Sequence, residues 1–198
     1  MQLNNSRIQK ILLITGNSGK ENEFRNLLGL ENISLSSCDL PIHEIQSLDI
    51  NEIGRQKTIT ALSYQHECKG YDAVLTDDTA LSLSCLKGLP GPLIKWFLKT
   101  LTAQGIAELV EGKEQSATAT CLLTLGIVEN QELIQFVGKT EGRIVSSKGK
   151  KGFGWDSIFQ PLRSNITYGE LDILEKNKIS HRAKAISKLK DWLTAKKS

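Results

Sequence analysis

What this sequence lacks narrows it first. No apolar run approaches the ~20 residues needed to cross a bilayer. The opening stretch, Met1 to Lys10, is polar, with no apolar signal core and no cleavage pattern. The expected location is therefore the cytosol. The four cysteines, Cys38, Cys68, Cys85 and Cys121, form no Cys-x-x-Cys pair and no metal-clip spacing. They read as reduced small hydrophobes. Charge of one sign is also scarce. The formal net charge of +3 is too mild to argue for nucleic acid or a membrane surface. It leaves room for an anionic small molecule in a local basic patch. There is no internal repeat, no linker and no low-complexity segment. What remains is a chain of 198 residues, 39% hydrophobic and 24% charged. That suits one large domain or a compact two-lobed one, able to bury a core without staples.

Along the chain, Ile11-Leu12-Leu13-Ile14 is a short continuous apolar run, as expected of a buried strand. A glycine turn follows at Thr15-Gly16-Asn17-Ser18-Gly19-Lys20. Ser18 and Glu21 have capping-box spacing. Phe24, Leu27 and Leu28 give one helical face, and Gly29 is a natural stop. A second strand is expected at Ile33 to Leu35, and a helix from Asn51 to about His66. Asp72 to Thr76 reads as a third strand ending at Asp77-Asp78. Gly88-Leu89-Pro90-Gly91-Pro92 is a turn or loop. Ile94, Phe97, Leu98 and Leu101 then recur at helical spacing. Thr118 to Val128 and Glu132 to Val137 form a hairpin pattern, with a further strand at Gly142 to Val145. Ser147 to Gly154 is a basic, glycine-rich loop. Ile186, Leu189, Trp192 and Leu193 mark a C-terminal amphipathic helix. Strands and helices intermix, so the expected class is α/β with a mixed sheet.

Several stretches could carry chemistry. A strand entering a glycine turn and a helix N-terminus presents backbone N–H groups and a positive dipole end, a phosphate cradle to which Lys20 adds a point charge. The pattern G-x-x-x-x-G-K-[ST] is absent, so this is not a P-loop; an ordinary β-turn-α connection has the same look. Asp77 and Asp78 are adjacent, and adjacent strand residues point to opposite faces. Both serve one site only if the strand ends there. With Glu44, they could hold Mg²⁺ beside phosphates; the other reading is a capped turn and a solvated glutamate. Lys57, Lys95 and Lys176 are isolated cations. Lys95 lies between Ile94 and Trp96-Phe97, so apolar surroundings and an anionic partner are expected for it. Phe153-Gly154-Trp155-Asp156 combines two aromatics and an acid after the basic loop. The rings could stack on a base and the carboxylate could accept from ring N–H groups, or the rings could simply pack. Ser180 could cap the last helix, with His181 and Arg182 able to donate to a keto oxygen or a phosphate.

Taken in order, six stretches resemble the inosine triphosphate pyrophosphatase family, the Ham1-like nucleotide house-cleaning enzymes. They are Thr-Gly-Asn-Ser-Gly-Lys at 15–20, Asp-Asp-Thr-Ala-Leu at 77–81 and Gly-Leu-Pro-Gly-Pro-Leu-Ile-Lys-Trp-Phe-Leu at 88–98. Gly-Arg-Ile-Val at 142–145, Phe-Gly-Trp-Asp-Ser-Ile-Phe at 153–159 and Glu-Lys-Asn-Lys-Ile-Ser-His-Arg at 175–182 complete the set. The Ile-Lys-Trp-Phe-Leu run resembles the eukaryotic branch. The resemblance implies a single domain over residues 1–198. Its implied fold is an elongated, two-lobed α/β structure, with a long mixed sheet flanked by helices and a central substrate cleft. It also implies a homodimer with a small-molecule nucleotide as partner, and neither nucleic acid nor membrane.

Residue by residue, the resemblance implies that Thr15, Gly16, Asn17, Ser18, Gly19 and Lys20 cradle the phosphates, joined by Lys57 and Lys95. Glu44, Asp77 and Asp78 would hold Mg²⁺, with Mn²⁺ as a substitute. Asp78 would activate water, with Lys20 and Lys95 assisting catalysis and Thr79 next to the substrate. Phe153, Gly154, Trp155 and Asp156 would hold the base, and Lys176, His181 and Arg182 would close over base and sugar. The family often has Glu-Asp-Thr where this chain has Asp77-Asp78-Thr79, so the first carboxylate is one methylene shorter. The implied reaction is hydrolysis of ITP, dITP or XTP to the monophosphate and pyrophosphate. A nucleotide sensor without turnover, an RNA-binding module using Lys148-Gly149-Lys150-Lys151, and a relative preferring another triphosphate are the alternatives. Pyrophosphate release, salt-dependent RNA affinity and a substrate panel discriminate among them.

Overall fold

The computed structural model describes residues 8–29 and 31–195. The first seven residues, part of the polar opening stretch, lie outside it. The described elements, in order, are β1 (Lys10–Ile14), α1 (Ser18–Leu28), β2 (Ser34–Cys38), α2 (Ile50–Ser63), α3 (Gln65–Cys68) and β3 (Ala73–Leu83). β4 (Pro90–Gly91), α4 (Ile94–Leu109), β5 (Ser116–Ile127), β6 (Leu133–Ile144), β7 (Phe159–Pro161), α5 (Ile173–Ile179) and α6 (His181–Thr194) follow. The seven strands form one sheet in the order β2-β1-β3-β5-β6-β7, with β4 on β3. β1 pairs in parallel with β2 and β3, whereas β4 and β7 pair antiparallel to β3 and β6. The class is therefore α/β with a mixed sheet flanked by helices. Among the described residues no helix is long and apolar enough to cross a membrane.

The chain divides into two compact units. The first takes in the chain up to Asp78, Leu122–Val137 and the chain from Lys184; the second takes in Thr79–Cys121 and Gly138–Ala183.

In the first unit, β1 is buried on both faces from Ile11 to Ile14, so its apolar run is continuous rather than alternating. Ile11 and Leu13 are fully buried. Asp72 sets the register: its Oδ2 accepts from the amides of Gln9 (2.8 Å) and Lys10 (2.9 Å), and its own amide donates to the Lys10 carbonyl (2.9 Å). α1 is capped by Asn17, which accepts from the Lys20 amide, and not by Ser18 as the capping-box spacing suggested. Asn17 sits in extended backbone, as an N-cap must. α1 stops at Gly29, whose φ of 43° is left-handed. α2 is capped by Asp49 and ends at Ser63, shorter than the helix expected to reach His66; α3 takes up the chain again at Gln65. In α6, Ala185, Ile186 and Leu189 are buried, and Trp192 meets Phe136 edge-on at 6.0 Å.

The second unit has its core around Leu81, Leu83, Ile94, Ile106, Trp155, Ile158, Phe159 and Tyr168. Gly142 to Ile144 is the end of β6 rather than a separate strand, and it pairs with β7. Gly91, inside the expected loop, forms with Pro90 a short strand on β3. All four cysteines are free thiols.

Two glycines let α2 lie close on β5. A Cβ at Gly54 would come within 2.6 Å of Thr124 Oγ1, and one at Gly126 within 2.7 Å of Thr58 Cγ2 and 2.8 Å of Leu62 Cδ1. Neither glycine has unusual backbone, so the requirement is space. Gly126→Val should cost about 1–3 kcal/mol of stability by overpacking, read as a lowered urea midpoint with unchanged m-value. A midpoint at the wild-type value would show that α2 moves off β5 without penalty.

Candidate active site

In the first unit, β1 delivers the chain to an open turn. The Thr15 amide donates to the Cys38 carbonyl (2.9 Å), which ties the turn to the end of β2. The Thr15 hydroxyl accepts from the Asn17 amide (3.1 Å). Ser18 and Gly19 precede the first intrahelical bond, from the Glu21 amide to the Asn17 carbonyl (3.1 Å). Their amides are at the positive end of an eleven-residue helix. Gly16 has a role the sequence did not disclose. A Cβ there would lie 2.5 Å from Asp39 Oδ2, so the glycine admits the Asp39 carboxylate against the turn. The register Ile14↔Cys38 brings Asp39 there, and only the strand pairing reveals it.

The acid pair does not end β3, as the sequence suggested; the strand runs on through Asp77 and Asp78 to Leu83. Each carboxylate takes a different lysine. Lys20 Nζ lies 2.5 Å from Asp77 Oδ1 and donates to the Asp77 carbonyl at 2.9 Å. Lys57 Nζ lies 2.9 Å from Asp78 Oδ1 and 2.8 Å from Glu44 Oε1. Both aspartates are buried, at 2% and 7% exposure. Glu44 and Asp78 thus share a cluster, while Asp77 belongs to the neighbouring pair. Among the described residues no three His, Cys, Asp or Glu side chains are gathered so as to hold a metal ion. The three expected metal ligands are divided by lysines.

The electrostatics of the cluster are lopsided. Burial, the largest influence, raises the pKa of Asp78 above the usual carboxylate value, against the pull of Lys57 and Lys20. Its Oδ2 is buried and has no hydrogen-bond partner. For Lys57, burial favours the neutral amine, but the attraction of Asp78 and then Glu44, with their hydrogen bonds, outweighs it and raises the pKa. The cluster is therefore a firmly protonated ammonium beside a carboxylate of enhanced basicity.

In the second unit, Asp156 is a hub. Its Oδ2 accepts from Lys176 Nζ (2.7 Å) and from the Phe153 amide (2.8 Å). A Cβ at Gly152 would lie 2.1 Å from that oxygen, and Gly152 has φ 76°, so glycine is required twice over. Gly154 also has a left-handed φ of 63°. The Lys176 ammonium is 4.8 Å from the Phe153 ring centroid and 5.5 Å from that of Tyr168. Arg182 is 1% exposed, donates to the Thr79 hydroxyl (3.1 Å) and lies 5.7 Å from the Phe153 centroid. The basic loop is held by its backbone: Lys148 donates to the Ser157 carbonyl and Lys151 to the Gly169 carbonyl, both at 2.8 Å. Ser180 caps α6 as expected, accepting from the Ala183 amide (3.1 Å).

Two expectations are corrected. Trp155 is not a second stacking platform; it is packed in the core against Phe159, Tyr168 and His181, with centroids 5.3, 6.3 and 5.2 Å away. Lys95 is not in apolar surroundings; it is exposed, 6.0 Å from the centroid of Trp96, itself half-exposed. Tyr168, missed from the sequence, is fully buried and stacks with His181 at an interplanar angle of 18°.

The family model described as the Ham1 family matches residues 11–192. The chain belongs to the Ham1 family. This Ham1-family chain is 41% identical over 187 residues to the inosine triphosphate pyrophosphatase of Ajellomyces capsulatus, covering 94% of this chain and 97% of that one. It is 42% identical over 199 residues to inosine triphosphate pyrophosphatase 2 of Trypanosoma cruzi, covering 95% and 94%. Among solved structures, a HAM1 protein from Coxiella burnetii superposes with a TM-score of 0.78 at 28% identity, covering 94% of this chain and 99% of that one. The Ham1 protein of Staphylococcus aureus, at 23% identity and TM-score 0.73, shares the fold.

Asp156→Ala removes one partner of a buried ion pair and leaves Lys176 in the interior without that carboxylate. A loss of about 3–5 kcal/mol is expected, measured by denaturant unfolding. A loss under 1 kcal/mol would mean that Lys176 finds equivalent compensation elsewhere.

Proposed function

We propose that this Ham1-family chain hydrolyses purine nucleoside triphosphates with a 6-keto base, ITP, dITP and XTP, to the monophosphate and pyrophosphate. It would thereby remove them from the nucleotide pool. The observation that carries the reading is the Asp78 carboxylate. It is buried, more basic than usual, held at one oxygen by Lys57 and without a partner at the other. The curated relatives named inosine triphosphate pyrophosphatase support the choice of substrate.

Asp78 takes the proton of a water, at the Oδ1 that Lys57 leaves for the phosphates, as that water attacks the α-phosphorus. The α–β anhydride bond breaks and pyrophosphate leaves. The first-turn amides of Ser18 and Gly19 and the ammonium groups of Lys20 and Lys57 face the phosphate oxygens. Lys20 turns from Asp77 to do so. Such positioned charge supplies most of the catalysis in phosphate chemistry. Phe153 offers a ring face to the base, and Lys176, His181 and Arg182 donate toward the 6-keto oxygen. Adenine presents an amino donor at that position and meets donors instead of acceptors. Asp156 acts through Lys176 and the Phe153 amide, so it positions the base reader.

A divalent cation is part of the proposal. Glu44, Asp77 and Asp78 would supply hard oxygen donors once Lys20 and Lys57 turn from them to the phosphates, and the unpartnered Asp78 Oδ2 is a ready ligand. Mg²⁺, or Mn²⁺ in its place, would neutralise charge on the phosphates. We further propose a cytosolic homodimer.

Pyrophosphate release should be rapid with ITP, dITP and XTP and far slower with ATP, and excess chelator should abolish it. Equal rates for ITP and ATP would reject the base assignment, and full activity in chelator would reject the metal. Asp78→Asn should leave nucleotide binding nearly intact while turnover falls about 10²–10⁴-fold. A variant keeping a third of wild-type turnover would remove Asp78 as the proton acceptor.

A further inference from the structure

The cluster Glu44–Lys57–Asp78 has the arrangement of a cation site already filled by a side chain. One ammonium lies 2.8 Å from one carboxylate and 2.9 Å from another. An ammonium is a directional donor of three N–H bonds, and here it leaves Asp78 Oδ2 buried and unsatisfied. A divalent ion with about six oxygen positions suffers no such limit. The second carboxylate of the pair, Asp77, is meanwhile held by Lys20, so the acids are not gathered around a vacant point.

We propose that Lys57 is a built-in stand-in for the divalent cation, and that it couples metal binding to triphosphate binding. This rests on the reading that Glu44 and Asp78 are metal ligands. A free cation entering the cluster must displace the Lys57 ammonium, which then loses two carboxylates in a largely buried place. That displacement weakens the binding of metal alone. When the metal arrives with a triphosphate, the ammonium exchanges its carboxylates for phosphate oxygens, and the four-carbon stem of lysine supplies the reach. Each ligand then improves the site for the other, reciprocally. Lys57 thereby keeps the buried Asp78 carboxylate paired between turnovers and disfavours metal binding without substrate.

The test is Mn²⁺ binding to the nucleotide-free full chain, followed by the electron-paramagnetic signal of free Mn²⁺. Lys57→Met should bind Mn²⁺ at least about tenfold more tightly than wild type. Lys57→Gln, as a second variant should the first fold poorly, should do the same, while Lys57→Arg, which keeps the charge, should stay near wild type. Affinity unchanged or weaker in both neutral variants overturns the stand-in role. If no form binds Mn²⁺ yet ITP hydrolysis remains sensitive to chelator, the stand-in alone is overturned. If hydrolysis also survives chelator, the metal reading falls with it.

Discussion

Two adjacent carboxylates inside a buried strand are the constraint around which the first unit is arranged. Unpaired, each buried charge would cost several kcal/mol. β3 nevertheless carries Asp77 and Asp78 at 2% and 7% exposure. The alternation of strand side chains turns them apart, and each takes its own lysine. α1 supplies Lys20 to one and α2 supplies Lys57 to the other. The caps at Asn17 and Asp49 set where those helices begin. The glycine contacts of α2 with β5 let its backbone come close to the sheet. Ordinary packing thus holds the charge balance around the acid pair.

The second unit handles charge by another rule. Asp156 accepts from a lysine and a backbone amide through one oxygen, and Gly152 makes the room. The basic loop before it is exposed in its side chains yet pinned in its backbone. Phe153 comes from that pinned loop, close to the cations Lys176 and Arg182. Trp155 and Tyr168 pack against His181 in the same unit.

Much of the fold is legible in local pattern. The run Ile11 to Ile14, the glycine turn and the Phe24–Leu28 face read directly as strand, turn and helix. The β5–β6 hairpin is equally plain. The misreadings have specific physical causes. Ser18 and Asn17 are both good caps, and the choice falls to the residue whose backbone is extended, Asn17. The sequence places the end of β3 at the acids; the strand runs on through them, paired with lysines from 57 and 21 residues away. Trp155 and Phe153 look alike in a motif, yet one is core and the other is not. β7, three residues long, offers no periodicity to detect.

By itself the sequence determined the class of fold, the caps and turns available, and the set of chemical groups. These depend on side-chain period, backbone preference and residue type, all of which act between near neighbours. The tertiary structure decided which carboxylate meets which lysine, that Asp39 leans on Gly16, that Lys57 bridges Glu44 and Asp78, and that Trp155 packs while Lys95 stays exposed. Those are distances between residues far apart in the chain, and they exist only once strand register and helix packing bring them together.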